Sequence, residues 1–462
     1  MKNLVVQAVG LLYNCCPVFA CEPQREIRRM SKILEQKIRS SRAKIAVVGL
    51  GYVGLPLALH FAKKGFRVFG LDLDTDRVTK LNGRTSYILD VPSSDLKAVI
   101  DRGNLSASSE FAALKDVDVI IICVPTPLKS KYTPDISYIV QAVRTIRQYL
   151  KKGTLIILES TTYPGTTREL IKPELEKSGL KAEKDFFLSF SPERIDPGNP
   201  QYDVTRIPKV VGGLSPRSTE LTRMLYEKII ASVHPVSSAE TAEMTKLLEN
   251  TFRIINIGWA NEVAMMCHKM KIDVWEVIEA AKTKPFGFMP FYPGLGVGGH
   301  CIPDDPLYLY WKARHHGFSS KFIKLSADIN SAMPQYALER IKEILAGQKK
   351  KLAGARILIS GVTYKKNVRD LRKSPPLKLI EFLQKARCKI DYFDPIIPYL
   401  KIMSINMNSI NLNPQTVGQY DCVVIATDHR QVDYDVILRS AKCIFDVRNV
   451  YRGKRDPKLF KL

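Results

Sequence analysis

What this 462-residue chain lacks narrows its class before any motif is read. No Cys-x-x-Cys pair occurs among its nine cysteines, at positions 15, 16, 21, 123, 267, 301, 388, 422 and 443. An odd count without paired spacing weighs against a disulfide framework and a structural zinc site, and fits a reducing cytoplasm. Acidic residues are scarce: 46 Asp+Glu face 70 Lys+Arg, a formal net charge of +24. Such an excess suits a nucleic-acid or anionic-membrane binder, and it suits an enzyme for phosphate-bearing ligands equally well. No helix-turn-helix, zinc-finger or aromatic–basic RNA motif accompanies the charge, so no nucleic-acid partner is expected. Long apolar runs are missing too. The stretch from Leu4 to Ala20 is interrupted by Gln7, Asn14 and two cysteines, and is too short to span a bilayer comfortably. With Met30 as an alternative start, residues 1–29 are expected to be an upstream extension, leaving a cytoplasmic protein with no membrane partner.

What is present reads as globular: 45% hydrophobic and 25% charged residues, enough for two or three domains. After an N-terminal extension over 1–43, short β-branched runs alternate with helical ones across 44–235: KIAVVG, FRVFGLD, DVIIICVP, TLIILEST and FFLSF. Continuous apolar strands separated by helices predict a parallel sheet covered on both faces. Strand signals stop near Ser237, and 236–345 reads as helical around one Gly/Pro-rich loop, KPFGFMPFYPGLGVGGHCIPDDP, with helical sequence from Leu307 to about Gln348. Strand–helix alternation resumes over 346–462. The predicted fold class is α/β, with two Rossmann-like parallel-sheet domains joined by a central helical domain. The first and last blocks share no motif strong enough to be a sequence repeat.

Gly49-Leu50-Gly51-Tyr52-Val53-Gly54 lies between a buried strand and a helix. Glycines there permit the tight turn and close approach to a pyrophosphate, and Asp72 closes the next strand where a carboxylate meets an adenosine ribose. An acid at that place favours NAD over NADP. Thr126 and Thr161 end later strands, on the ligand side of such a sheet. Cys301, between Gly298-Gly299-His300 and Ile302-Pro303-Asp304-Asp305, is a candidate nucleophile beside a nicotinamide. Lys246 and Asn250 share a helix face, with Arg253 near it. By spacing alone Lys246 reads as a solvated surface charge, and Glu193, in Ser191-Pro192-Glu193-Arg194, is equally an exposed loop acid. Tyr364-Lys365 and Asp370-Leu371-Arg372 form either a phosphate site or a basic loop.

In order along residues 30–462, GLGYVGLPLA, Asp72, VPTP, EST…GTT, SPER, AEMTKLLENTFR, the GGHCIPDDP loop, YKKNVRDLRKSP and FDVRNVY together resemble the UDP-glucose/UDP-N-acetylhexosamine 6-dehydrogenase family. The GGHCIP segment is most similar to the UDP-N-acetyl-D-glucosamine branch. The resemblance implies NAD as cofactor and a UDP-sugar as substrate, with Cys301 as nucleophile. It implies Lys246 as the proton-transferring, oxyanion-stabilising group, with Asn250 beside it, and Glu193 and Asp305 as aids to thioester hydrolysis. It assigns NAD contacts to Gly49, Gly51, Tyr52, Val53, Asp72, Arg77, Thr126, Thr161, Thr167 and Arg372. UDP-sugar contacts fall to Arg194, Ile195, Lys246, Asn250, Arg253, Gly298, Tyr364, Lys365 and Arg448. No metal is implied, and a homodimer through the middle helices, or a higher homo-oligomer, is. Relatives acting on UDP-N-acetylmannosamine carry a His-x-Arg pair where this chain has Pro285 and Gly287, which counts against that substrate. UDP-N-acetylgalactosamine and UDP-glucose stay open. A hydroxyacid-type dehydrogenase would need neither Cys301 nor a third α/β block.

Overall fold

The computed structural model describes residues 22–88, 91–130, 133–195, 205–402 and 405–462. They fall into two compact units: one reaches Thr126 and resumes over Asp135–Lys246, and the other comprises Pro127–Pro134 and Leu247–Leu462. The second unit holds both the helices after Lys246 and the last α/β block.

In the first unit the strands are β1 (Lys44–Val48), β2 (Arg67–Leu71), β3 (Leu105–Ser108), β4 (Val119–Ile122), β5 (Leu155–Leu158), β6 (Phe187–Phe190), β7 (Lys209–Gly213) and β8 (Val233–Pro235). They form one sheet in the order β8-β7-β6-β5-β4-β1-β2-β3. Every residue of β4, β5 and β6 is buried, as expected where helices cover both faces. One neighbour pair departs from the expected parallel pattern: β7 runs antiparallel to β6, with Ser189 opposite Gly213.

Residues Glu22–Arg39 form a helix, α1. Leu34 and Ile38 are buried in the same core as β1 and Tyr226, with Ile27 packed against it. Arg217 pairs with Glu35 at 2.6 Å. Residues 27–39 therefore pack into the body of the first unit. The Leu4–Ala20 run lies outside the described residues.

Helix α2 (Gly54–Lys63) follows the glycine turn, and α3 (Ala239–Met270) starts in the first unit and continues into the second. The helical sequence predicted from Leu307 is two helices, α4 (Cys301–His315) and α5 (Lys321–Gly347). Gly317, at φ +76°, ends α4 in the left-handed region, and the Ser320 hydroxyl caps α5 by accepting from the Ile323 N–H. The second sheet contains β9 (Arg356–Ser360), β10 (Lys389–Phe393), β11 (Cys422–Ile425), β12 (Ile444–Asp446) and β13 (Leu459–Lys461), all parallel, in the order β10-β9-β11-β12-β13.

The two sheets repeat one turn that the sequence conceals. After β1, Gly49 has φ +93°, its N–H donates to Leu71 O at 2.7 Å, and the Leu50 N–H donates to Asp72 Oδ2 at 2.7 Å. After β9, Gly361 has φ +84°, its N–H donates to Phe393 O at 2.8 Å, and the Val362 N–H donates to Asp394 Oδ2 at 2.8 Å. The copies differ at the acid. Asp72 faces Arg77 at 3.3 Å, whereas Asp394 is covered by the buried His429 at 3.2 Å.

Candidate active site

The expected site residues form two groups, one in each unit. In the first, the three motif glycines have separate duties. A Cβ on Gly49 would meet Cys123 O at 2.6 Å, and one on Gly54 would meet Gly49 O at 1.9 Å, so both positions require the missing side chain for packing. Nothing lies within 4 Å of the place a Gly51 Cβ would take. That opening sits just before α2, whose N-cap residue Val53 makes no side-chain cap and whose first turn holds no acid. The positive end of its helix dipole suits a pyrophosphate. Tyr52 is exposed beside it, and the buried Asp72 carboxylate, just after β2, accepts the N–H groups of Leu50 and Asp74. Thr126 is buried and Thr161 half-buried at the ends of their strands.

Thr167 has a different place. It is 0% exposed, and both its N–H and hydroxyl donate to Glu243 Oε1, at 2.9 and 2.7 Å, while Gly165 N–H donates to Oε2 at 2.5 Å. These bonds make Thr167 an anchor for α3. Burial pushes the Glu243 carboxyl up to about 7 against those three donors.

Beneath Ser191–Arg194 lies a buried ionic network. Lys209 Nζ, at the start of β7, donates to Glu159 Oε2 at 2.8 Å, Glu193 Oε2 at 3.2 Å and Pro192 O at 3.3 Å. Tyr226 donates to the other Glu159 oxygen. Burial pushes the Glu159 carboxyl up to about 7, with Lys209 opposing it. Burial also works against the Lys209 ammonium, yet Glu159 and Glu193 together hold its pKa above the ordinary value. Glu193 is not an exposed loop acid: it is 8% exposed, and its Oε1 accepts the N–H groups of Arg194 and Ile195, each at 2.7 Å. Lys246 is no surface charge either. It is 7% exposed, and its ammonium donates to the Glu193 backbone carbonyl. Arg194 donates to Pro208 O at 2.6 Å.

In the second unit Cys301 is an exposed thiol and the first residue of α4. Two glycines deliver it there. A Cβ on Gly298 would meet Tyr364 Cβ at 2.6 Å and Lys373 O at 2.8 Å, and one on Gly299 would meet the Tyr364 ring at 2.9 Å. The loop can lie on Tyr364 only without side chains, and the Gly299 N–H donates to Arg372 O at 2.9 Å. Asp304, at 2% exposure, receives Lys373, with His300 Nδ1 3.2 Å away. Asn250 Nδ2 donates to Asp305 Oδ2 at 2.6 Å, both buried. Arg448 donates to Ala426 O at 2.8 Å and lies beside Gly294, with burial lowering its pKa. Lys365 is half-buried and its carbonyl accepts from Thr363 at 2.9 Å. Arg372 grips Asp370 with two guanidinium nitrogens, and Arg253 is exposed on α3.

Comparison with known proteins covers both groups. The NAD binding domain of the UDP-glucose/GDP-mannose dehydrogenase family matches residues 43–230, its central domain 240–332 and its UDP binding domain 358–453. The chain belongs to that family. It is an NAD-dependent UDP-sugar 6-dehydrogenase. One relative, the UDP-N-acetyl-D-glucosamine 6-dehydrogenase of Pseudomonas aeruginosa, is 39% identical over 84% of this chain and 91% of its own length. The UDP-N-acetyl-D-mannosamine dehydrogenase of Pyrococcus horikoshii is 36% identical over 88% of this chain and 96% of its own. A solved structure of UDP-D-ManNAc dehydrogenase from the same organism superposes with a TM-score of 0.82 at 35% identity, over 90% of this chain and 98% of that one.

The open Gly51 face, the uncapped start of α2 and Asp72 fit the NAD that the family uses. Sequence reasoning missed three residues of this dehydrogenase that hold others in place: Lys209, Tyr226 and Glu243. Lys209 opens the apolar run KVVGG and Tyr226 ends a helix, so neither shows a motif. The one available signal was an uncompensated cation heading a buried strand.

Proposed function

We propose that this enzyme oxidises C6 of a UDP-N-acetylhexosamine, with UDP-N-acetyl-D-glucosamine the best-fitting substrate, to the uronate through a cysteine thioester, for surface polysaccharide synthesis. The observation that carries the reading is the exposed Cys301 thiol at the start of α4, set on two glycines that no side chain could replace. NAD, when bound, takes up a hydride in each of two successive oxidations. Lys246 or a water takes the C6 hydroxyl proton, and Lys246 stabilises developing oxyanions as a fixed cation, an effect of several kcal/mol in preorganised sites. The Cys301 thiolate adds to the C6 aldehyde, and oxidation of the resulting thiohemiacetal leaves a thioester. Glu193 and Asp305 orient the water that hydrolyses it, freeing the thiol and the uronate. Arg194, Ile195, Arg253, Tyr364, Lys365 and Arg448 serve the UDP-sugar.

For the sugar, the identity to the Pseudomonas enzyme and the Pro285 and Gly287 pair favour UDP-N-acetyl-D-glucosamine over the mannosamine epimer. Dimerisation through α3 is part of the same reading, supported by the exposed Leu248, Phe252, Trp259 and Met266 on that helix. A cytoplasmic location accords with the described helices, none of which is long and apolar enough to cross a membrane. The decisive variant is Cys301→Ser. It should bind the UDP-sugar within about threefold of wild type and form no uronate; full turnover would remove the thioester from the reaction.

A further inference from the structure

We propose that Lys209 is a positioning residue for Lys246, acting through its bonds to the Pro192 carbonyl and the Glu193 side chain. The inference rests on reading Lys246 as the acid–base and oxyanion-stabilising group. An ammonium has three protons, and Lys209 directs them at three acceptors: Glu159 Oε2 at 2.8 Å, Glu193 Oε2 at 3.2 Å and Pro192 O at 3.3 Å. Its side chain is 5% exposed, so water cannot take over any of these bonds. Glu159, at the end of β5, is fixed in turn by the Tyr226 hydroxyl, and the Lys209 ammonium sits 5.0 Å above the Tyr226 ring. The other Glu193 oxygen takes the N–H groups of Arg194 and Ile195. The carbonyl of Glu193 is therefore aimed by a cation anchored in the sheet, and that carbonyl receives the Lys246 ammonium.

A buried ion pair contributes little net stability compared with apolar residues of the same size, so stability alone is a poor reason for this one. Orientation is a better one. A misplacement of about 1 Å can cost on the order of 100-fold in rate. Removing Lys209 frees Pro192 O and Glu193 to move, and Lys246 loses its fixed acceptor.

The test uses the full chain, NAD and UDP-N-acetyl-D-glucosamine. Lys209→Met should lower kcat by about 10-fold or more while the KM for NAD stays within about threefold. In a Lys246→Ala background the same substitution should cost less than about threefold, because its effect runs through Lys246. Lys209→Met combined with Glu159→Leu replaces the ion pair with apolar groups, guards against a folding defect, and should show the same kcat loss. A kcat within about twofold of wild type in either Lys209 variant, or equal losses with and without Lys246, would overturn the proposal. Absence of NADH formation by the wild-type enzyme with every UDP-sugar is a separate failure, that of the active-site reading itself.

Discussion

Replacing Gly51 with alanine adds a methyl group where nothing lies within 4 Å, whereas the same methyl at Gly54 would sit 1.9 Å from Gly49 O and 3.2 Å from Cys123 Cβ. The two substitutions should therefore fail in opposite ways. At Gly54 the obstruction is backbone, more than 1 Å inside ordinary contact, and relief requires α2 to move off β1. Overpacking of that kind costs about 1–3 kcal/mol, which lowers Tm by roughly 3–10 °C for a unit of this size. At Gly51 the fold has room, so Tm should stay within about 2 °C. The methyl then occupies the face a pyrophosphate must approach, and NAD affinity should fall about 10–100-fold, or roughly 1.4–2.7 kcal/mol. Thermal melting without ligand and calorimetric titration with NAD separate the two effects. Unchanged NAD affinity in Gly51→Ala, or an unchanged Tm in Gly54→Ala, would refute the division of duties among these glycines.

Two further outcomes can be measured on the same preparations. Lys246→Ala should depress kcat by about 100-fold or more and leave NAD affinity within about threefold, and an unchanged kcat would defeat its assigned role. Glu243 gives a pH signature: its folded pKa, about 7, lies above the ordinary 4.5, so the folded state holds the proton more tightly. That contribution is whole below about pH 4.5 and is lost as pH rises to about 7, a change of about 3 kcal/mol. Urea unfolding of wild type and Glu243→Gln across that window should show the wild type's advantage shrinking as pH rises, and parallel curves would contradict it.

The parts of this enzyme that sequence reveals are those with local signatures. The glycine turn, Asp72, the buried runs of β4 and β5 and the long α3 all follow from spacing or period, and Cys301 stands out by its flanking glycines. Hidden from sequence are groups whose partners come from distant strands. Lys209 meets Glu159 and Glu193 across three strands of one sheet, and Glu243 reaches the loop after β5. The turn shared by Gly49 and Gly361 is a backbone pattern, carried by two hydrogen bonds and one positive φ, and leaves no common string of residues. Thr167, which its motif places near the cofactor, bonds Glu243 through both its N–H and its hydroxyl. Pro303 and Pro306 obscure the start of α4, whose helix begins at Cys301 rather than at Leu307.

The opening charge excess has a partial home in the same residues. Lys246 and Lys209 are buried among carboxylates and carbonyls, while Arg194, Arg253, Lys365 and Arg448 fall at positions proposed to meet an anionic sugar nucleotide. The most direct test of the central claim is the NADH yield per sugar consumed, measured with UDP-N-acetyl-D-glucosamine beside its mannosamine and galactosamine counterparts and UDP-glucose. A four-electron oxidation predicts about two NADH for each uronate formed, with UDP-N-acetyl-D-glucosamine turned over fastest. One NADH per product, or none from any UDP-sugar, would contradict it.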